Sequence, residues 1–240
     1  MGIEVVFSVS VIGRVNQVVP GLMARIVSSG LYDQSDRVWL VINGDPGDLD
    51  HSGFHEVAEG LPKFVPVTAW PDASKCEFPA LRVAWDRSRD AGATVCYIHS
   101  KGVTRQPNQQ MADWTEYLSH FTIDRWRDRL ADLEGHDCTG VNLGGSPADL
   151  SESPATWGYG KAPLHYSGNF WWSRSSHLAG LPDPMAWPPD GNYLRWRVMA
   201  EMWLCQLPGA RYHCAWRSGV DHYAQAYPPK MYREDATQTP

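Results

Sequence analysis

The chain has 240 residues, 43% hydrophobic and 20% charged, with a formal net charge of -6 and a pI near 5.8. That length fits one large α/β domain or two small ones, with enough chain to bury a sizeable core. No basic run occurs, which argues against a general nucleic-acid-binding surface, and no run of 18 apolar residues occurs, which excludes a membrane-spanning helix.

The start, MGIEVVFSVS, has neither the basic region nor the long apolar core of a signal peptide. Residues 3–10 are a near-continuous apolar and β-branched run, as in a parallel strand covered on both faces. Residues 16–29 predict a helix with Pro20 in its first turn and Gly30 ending it. Residues 37–43 predict a second strand, closed by the turn cluster Gly44-Asp45-Pro46-Gly47. A third strand follows over 63–68, a helix over 78–89 and a fourth strand over 94–99. This alternation implies a parallel sheet with flanking helices. Residues 111–133 carry Trp114, Tyr117, Leu118, Phe121, Trp126 and Leu130 at roughly helical spacing. A strand is expected over 139–143, then a Gly/Ser/Pro-rich loop over 144–163, of the kind that is usually functional. Residues 165–173 predict another strand, 192–207 a helix, and the chain after Tyr227 a tail.

The five cysteines, at 76, 96, 138, 205 and 214, are odd in number and contain no C-x-x-C pair. They suit buried thiols in a reducing, cytoplasmic compartment better than disulfides or a zinc site. Twelve tryptophans imply either an unusually aromatic core or a cleft lined with rings.

The segment Tyr97-Ile98-His99-Ser100-Lys101-Gly102 carries the most chemistry. It puts a His and a Lys, two residues apart, at the carboxyl end of a strand, where open α/β sheets bind ligands. A lysine there is a point charge suited to phosphate. In Gly168-Asn169-Phe170-Trp171-Trp172 the glycine permits close backbone approach and the Asn169 amide suits sugar hydroxyls. Trp171 and Trp172 must point to opposite faces of a strand, so one is expected in the core and one in the cleft. Glu201, between Ala200 and Met202 in an apolar helix, suits a general base; its plain alternative is an ion pair with Arg195 or Arg197.

Taken in order, these segments resemble GT-A-type glycosyltransferases, in particular the rhamnan-synthesis-F-like group, which carries His-(Ser/Thr)-Lys in place of Asp-x-Asp. The matches are His99-Ser100-Lys101, Asp113-Trp114, His165 to Trp172 with its Phe-Trp pair, and Ala200-Glu201-Met202-Trp203. The resemblance implies a GT-A-like, Rossmann-related α/β fold with a mostly parallel central sheet. It implies a single domain over 1–240: a nucleotide-sugar-binding half over 1–105, an acceptor half over 106–227 and a tail over 228–240. It implies that Lys101 and His99 meet the donor diphosphate. Glu77 would orient the ribose or base, or simply charge a helix N-terminus. His222 would face the diphosphate or be structural. Asp113, Trp114, Gly168, Asn169, Trp171 and Trp172 would contact substrate, with a cap or first-turn role as the plain reading of Asp113.

The expected reaction is transfer of a sugar from a nucleotide-sugar to a hydroxyl of a glycan, lipid-linked or other acceptor, inverting, with Glu201 as base. A DNA acceptor is disfavoured by the acidic pI. Without paired carboxylates, no metal site is expected; a divalent Mn or Mg ion would have only Asp221 and His222 to turn to. The alternatives are a non-catalytic carbohydrate-binding protein with a Trp-rich cleft, and a phosphotransferase, for which no P-loop or kinase motif is present.

Overall fold

In the computed structural model, residues 2–49, 58–71, 73–89, 92–146, 162–186 and 190–233 are described. Their elements are β1 (Ile3–Ser10), α1 (Val15–Ser28), α2 (Leu31–Gln34), β2 (Arg37–Asn43), β3 (Phe64–Trp70), α3 (Phe78–Arg87), β4 (Thr94–His99), α4 (Gln109–Ser119), α5 (Trp126–Gly135), β5 (Cys138–Val141), β6 (Leu143–Gly144), β7 (His165–Tyr166), β8 (Trp171–Arg174), α6 (Ser175–Ala179), α7 (Met199–Met202) and β9 (Tyr212–Trp216). Seven strands form one sheet in the order β3-β2-β1-β4-β8-β5-β9. β3, β2, β1 and β4 are mutually parallel, β8 runs antiparallel to both β4 and β5, and β9 is parallel to β5. The protein is therefore an α/β fold of GT-A-like, Rossmann-related type with a mostly parallel sheet, and its first four strands follow the 3-2-1-4 order of doubly wound sheets.

Alternation along the strands supplies two cores. Val5, Phe7 and Val9 of β1 meet α1 and α4 residues on one face, while Val6, Val41, Val95 and Tyr97 meet α3 and the segment around Met199 on the other. Trp171 and Trp172 follow the same rule. Both are 0% exposed, Trp171 stacked on Tyr97 at 4.9 Å and Trp172 donating its indole N–H to the Thr122 carbonyl at 2.9 Å. Neither faces a cleft, so the expected split between core and substrate is corrected to one tryptophan in each core. Truncating either to alanine would cost about 3–5 kcal/mol.

Several predicted boundaries are revised, each for a local reason. α1 begins at Val15, which puts Pro20 beyond the first turn and inside the helix. Asn108 caps α4, its side chain accepting from the Met111 N–H at 2.7 Å, so the helix starts earlier than the apolar spacing suggests. The long helix expected over 111–133 is broken by a π-helical turn, His120–Asp124. Within that turn the Phe121 and Thr122 carbonyls serve Arg129 and Trp172. The strand expected over 165–173 is split by a turn with φ of 93° at Gly168 and 52° at Asn169. The helix expected over 192–207 is reduced to α7 and a 3-10 turn, Trp203–Gln206. Before it, Asp190 and Asn192 accept backbone N–H groups from Asn192 and Arg195, which competes with helix. β9 has no counterpart in the sequence reading. The expected tail is packed in its first part: Tyr232 is 6% exposed, touches the Tyr117 ring and stacks on Tyr227. Residues 234–240, and 147–161 of the expected 144–163 loop, lie outside the described residues. Among the described residues no helix is long and apolar enough to cross a membrane.

Candidate active site

Chain order reverses between β1 and β4, and the crevice outside their carboxyl ends is where this class of sheet binds ligands. The loops that leave the two strands are joined there. Ser10 N–H donates to Ser100 Oγ at 3.1 Å, Ser100 N–H to the Ser8 carbonyl at 2.9 Å and Arg14 N–H to the Val103 carbonyl at 2.8 Å. Gly13 makes this approach possible: at its φ of 56°, a Cβ would lie 2.2 Å from the Val103 oxygen.

Above this junction is a cleft of about 330 Å³ whose lining includes His99, Lys101, Glu77 and Glu201. Four residues drawn from three separate stretches of sequence are thus brought to one place. Lys101 is 8% exposed, with its ammonium 3.8 Å from the centre of the Trp114 ring. Such a desolvated cation–π contact is worth about 2 kcal/mol. Among the described residues no carboxylate lies within 4 Å of that ammonium. Burial holds the Lys101 pKa below the usual lysine value, opposed by the charges of Glu201 and Glu77 and reinforced by Arg105.

His99 donates from Nε2 to the Gly168 carbonyl at 2.9 Å, which leaves the lone pair on Nδ1, 3.9 Å from Glu77 Oε1. Burial is the main reason its pKa lies below the usual histidine value. Glu77 precedes α3 and accepts from the Tyr97 hydroxyl at 3.0 Å and the Asn169 amide at 2.7 Å. Glu201 lies within α7 and accepts the Gly168 N–H at 3.2 Å. Neither Arg195 nor Arg197 pairs with it: Arg195 is bound to Asp190, and Arg197 lines the cleft without a carboxylate within 4 Å among the described residues.

The other expected substrate contacts lie behind or beside this cleft. Asn169 is 0% exposed. Its amide nitrogen serves Glu77 and its oxygen accepts the Trp171 indole N–H at 2.9 Å, so its amide is spent on holding the site together. Gly168 is required for packing, since a Cβ there would lie 2.8 Å from a Leu118 methyl. Asp113 is 4% exposed and accepts from Gln109, away from the cleft. Trp114 is 2% exposed and acts as the platform beneath Lys101.

His222 does not line the Lys101 cleft. It is 4% exposed, stacked on Trp114 at 5.3 Å, and lines a second cavity of about 310 Å³ that shares Tyr223 with the first. Asn142 Oδ1 accepts from the Tyr117 hydroxyl and the Ser218 N–H, which turns its amide nitrogen toward His222 Nε2 at 3.2 Å. That nitrogen therefore accepts, also from Ser218 Oγ–H at 2.8 Å, and the ring proton sits on Nδ1.

A GT-A-type fold implies a divalent cation at the end of β4, and the donor set here does not fit one. Among the described residues no group of three or more His, Cys, Asp and Glu could hold a metal ion. Only one oxygen each of Glu77 and Glu201 is left by the protein donors, Asp221 accepts the Tyr223 N–H, and His222 Nε2 is committed to Ser218 and Asn142.

Sequence reasoning missed the rim. Ile12, Arg105, Leu194, Arg197, Val198 and Tyr223 line the same cleft, and no spacing or motif marks them because the fold gathers them from four loops. Of these, Arg105 could have been suspected as a second cation in the polar loop after Lys101.

No protein-family model matches the chain, and no match was found among curated proteins. Among solved structures it is similar to 4-diphosphocytidyl-2C-methyl-D-erythritol synthase from Anaerococcus prevotii DSM 20548, at 8% identity and a TM-score of 0.45, over 90% of this chain and 88% of that one. It is also similar to a protein from Bacillus anthracis described as a glucose-1-phosphate thymidylyltransferase, at 11% identity and a TM-score of 0.45, over 88% and 85% of the two chains. The fold given above rests on this chain's own strand order and register.

Proposed function

We propose that this chain is an enzyme that binds a nucleotide-sugar and transfers its sugar to an acceptor hydroxyl. The observation that carries the reading is Lys101: a buried ammonium, free of any carboxylate within 4 Å among the described residues, at the switch point of the sheet. A diphosphate leaving group develops negative charge as its bond to the sugar breaks, and a fixed cation in a water-poor cleft stabilises that charge. Arg105 and Arg197 add to the positive lining.

Glu201 would take the acceptor proton. Its Oε2 is held by Gly168, and among the described residues Oε1 accepts no hydrogen bond. As the acceptor O–H bond breaks toward Oε1, the acceptor oxygen bonds to the anomeric carbon, and the carbon–oxygen bond to the diphosphate breaks with its electron pair going to the diphosphate beside Lys101. Attack from the side opposite the leaving group inverts the anomeric centre. His99 and Glu77 would position the strand end and the turn at Gly168 rather than react.

Non-catalytic sugar binding in this cleft is disfavoured by where the rings go: among the described residues no tryptophan lines it, and Trp114, Trp126, Trp171, Trp172, Trp196 and Trp203 are buried. The test is a thermal-shift screen with UDP, GDP, dTDP and CMP, followed by hydrolysis assays with the nucleotide-sugars of any nucleotide that stabilises the fold. One that binds with Kd a hundredth of its concentration adds about 2.7 kcal/mol. No stabilisation by any nucleotide, together with binding of free oligosaccharides, would favour the sugar-binding reading.

A further inference from the structure

The cleft has a charged floor and a rim in which exposed apolar side chains stand beside Arg105 and Arg197. Among the described residues, Ile12, Leu194, Val198, Trp216, Tyr223 and Met231 are the exposed large hydrophobic side chains. Four of them, Ile12 at 37%, Leu194 at 59%, Val198 at 41% and Tyr223 at 55% exposure, line this one cleft. They come from the loop after β1, the turns before α7 and the loop after β9, so three separate segments contribute them to the one cleft. The floor between them holds Lys101 and Glu201. Single exposed hydrophobics need no explanation, but a concentration around a cleft marks a binding surface.

From this we infer that the acceptor is an amphipathic alcohol, with its hydroxyl at Glu201 and an apolar body of alkyl or aryl character lying across Leu194, Val198 and Tyr223. The inference rests on the transferase reading for the role of Glu201. It is shape and polarity that select this occupant. A cavity of about 330 Å³ lies at the small end for ligand sites, so a sugar ring and diphosphate fill the floor and any further part of a ligand lies on the rim. A free sugar would cover the exposed side chains of Leu194 and Val198 with hydroxyls that neither can bond. A chain of methylenes or an aromatic ring removes that apolar surface from water. Tyr223 is held upright for the purpose, edge-on to Trp114 at 4.8 Å and with the Arg105 guanidinium 4.7 Å from its ring centre.

The experiment is a binding series with hexyl, heptyl and octyl β-glucoside against glucose, below micelle-forming concentrations and in the presence of the nucleoside diphosphate that stabilises the protein. Affinity is expected to rise about twofold to fourfold for each added methylene, with no measurable binding of glucose over the same range. In Leu194→Ser/Val198→Ser the rise should fall below about 1.5-fold per methylene. Both side chains are exposed, so the fold is not at risk. Met231→Ser, equally exposed but absent from the cleft lining, should keep the full dependence. A wild-type protein with no chain-length dependence overturns the inference, as does a dependence that survives the double variant or is lost in Met231→Ser. So does a double variant that loses nucleotide binding yet keeps the alkyl series, since the rim would then serve the donor. Alkyl binding with no turnover of any nucleotide-sugar would sink the transferase reading and leave the amphipathic site standing. Turnover onto free sugars with no chain-length effect would do the reverse.

Discussion

Replacing Lys101 by methionine removes one charge and keeps a stem of similar length against Trp114. A unit charge about 4 Å from a phosphate oxygen interacts with it by about 4 kcal/mol at an effective dielectric near 20. Desolvating a lysine normally cancels much of such a gain. Here the side chain is already buried, at 8% exposure, before a ligand arrives, so most of that cost is borne in folding and not in binding. A loss of about 2–3 kcal/mol is expected, which weakens nucleoside diphosphate binding about 30- to 150-fold. Titration calorimetry with the nucleoside diphosphate bound by the wild type measures it. pH supplies a second reading. Burial lowers the Lys101 pKa, with Glu201 and Glu77 opposing, so wild-type affinity should fall as pH rises toward that lowered value while the methionine variant stays flat. A change under threefold in a variant that melts like the wild type would refute the reasoning, and so would the same pH slope in both proteins.

Glu201→Gln keeps shape and removes the base, so kcat should drop at least about 100-fold with donor affinity within threefold; turnover near the wild-type rate would reduce Glu201 to a support for Gly168. Activity should survive exhaustive EDTA and gain nothing from Mn²⁺ or Mg²⁺, because among the described residues no group of three or more His, Cys, Asp and Glu could hold an ion; loss in EDTA with recovery on adding Mn²⁺ would show that the cleft's carboxylates rearrange to hold one. Asn169→Gly accommodates the φ of 52° yet leaves Glu77 Oε2 and the Trp171 indole short of a partner, and should lower unfolding free energy in urea by about 2–4 kcal/mol; a cost under about 1 kcal/mol would mean the network relaxes around the gap. Burial lowers the pKa values of His99, His177 and His222, so the unfolded chain takes up protons near pH 6.5 before the folded one does. Stability should therefore be full above about pH 7 and decline as pH falls from there toward the depressed values, and urea midpoints that hold steady or rise between pH 7 and 5 would contradict this.

The parallel half of the sheet was legible in the sequence because its strands are continuous apolar runs, each ended by a turn residue; β1, β2 and β4 begin and end where the apolar runs do. The second half was not, because its punctuation is conformational. Asn142 and Asn169 adopt positive φ without being glycine, and each breaks what reads as one strand into two. His99 and Lys101 could be singled out by their place at a strand end. Asn169 has the right chemistry for a sugar, and only its neighbours in space show that Glu77 and Trp171 use it instead. His222 and Trp114 are likewise adjacent to each other through a stacking contact that no linear spacing encodes.

Because β8 enters the sheet from the ligand end, two consecutive residues act as a common datum for the chemistry. Gly168 fixes His99 through its carbonyl and Glu201 through its N–H, and Asn169 fixes Glu77. A displacement of this dipeptide carries all three groups with it, so their relative spacing is insulated from small shifts of the surrounding helices. The same sharing makes the floor intolerant of piecemeal change, and paired substitutions around it should be strongly non-additive. Ile12, Leu194 and Val198 have no such linkage to the dipeptide, Ile12 sitting on the loop after β1 and Leu194 and Val198 on the turns before α7. On the transferase reading, randomising Ile12, Leu194 and Val198 while leaving the dipeptide untouched is therefore the direct route to altered acceptor choice, because none of the three is bonded to the groups beneath.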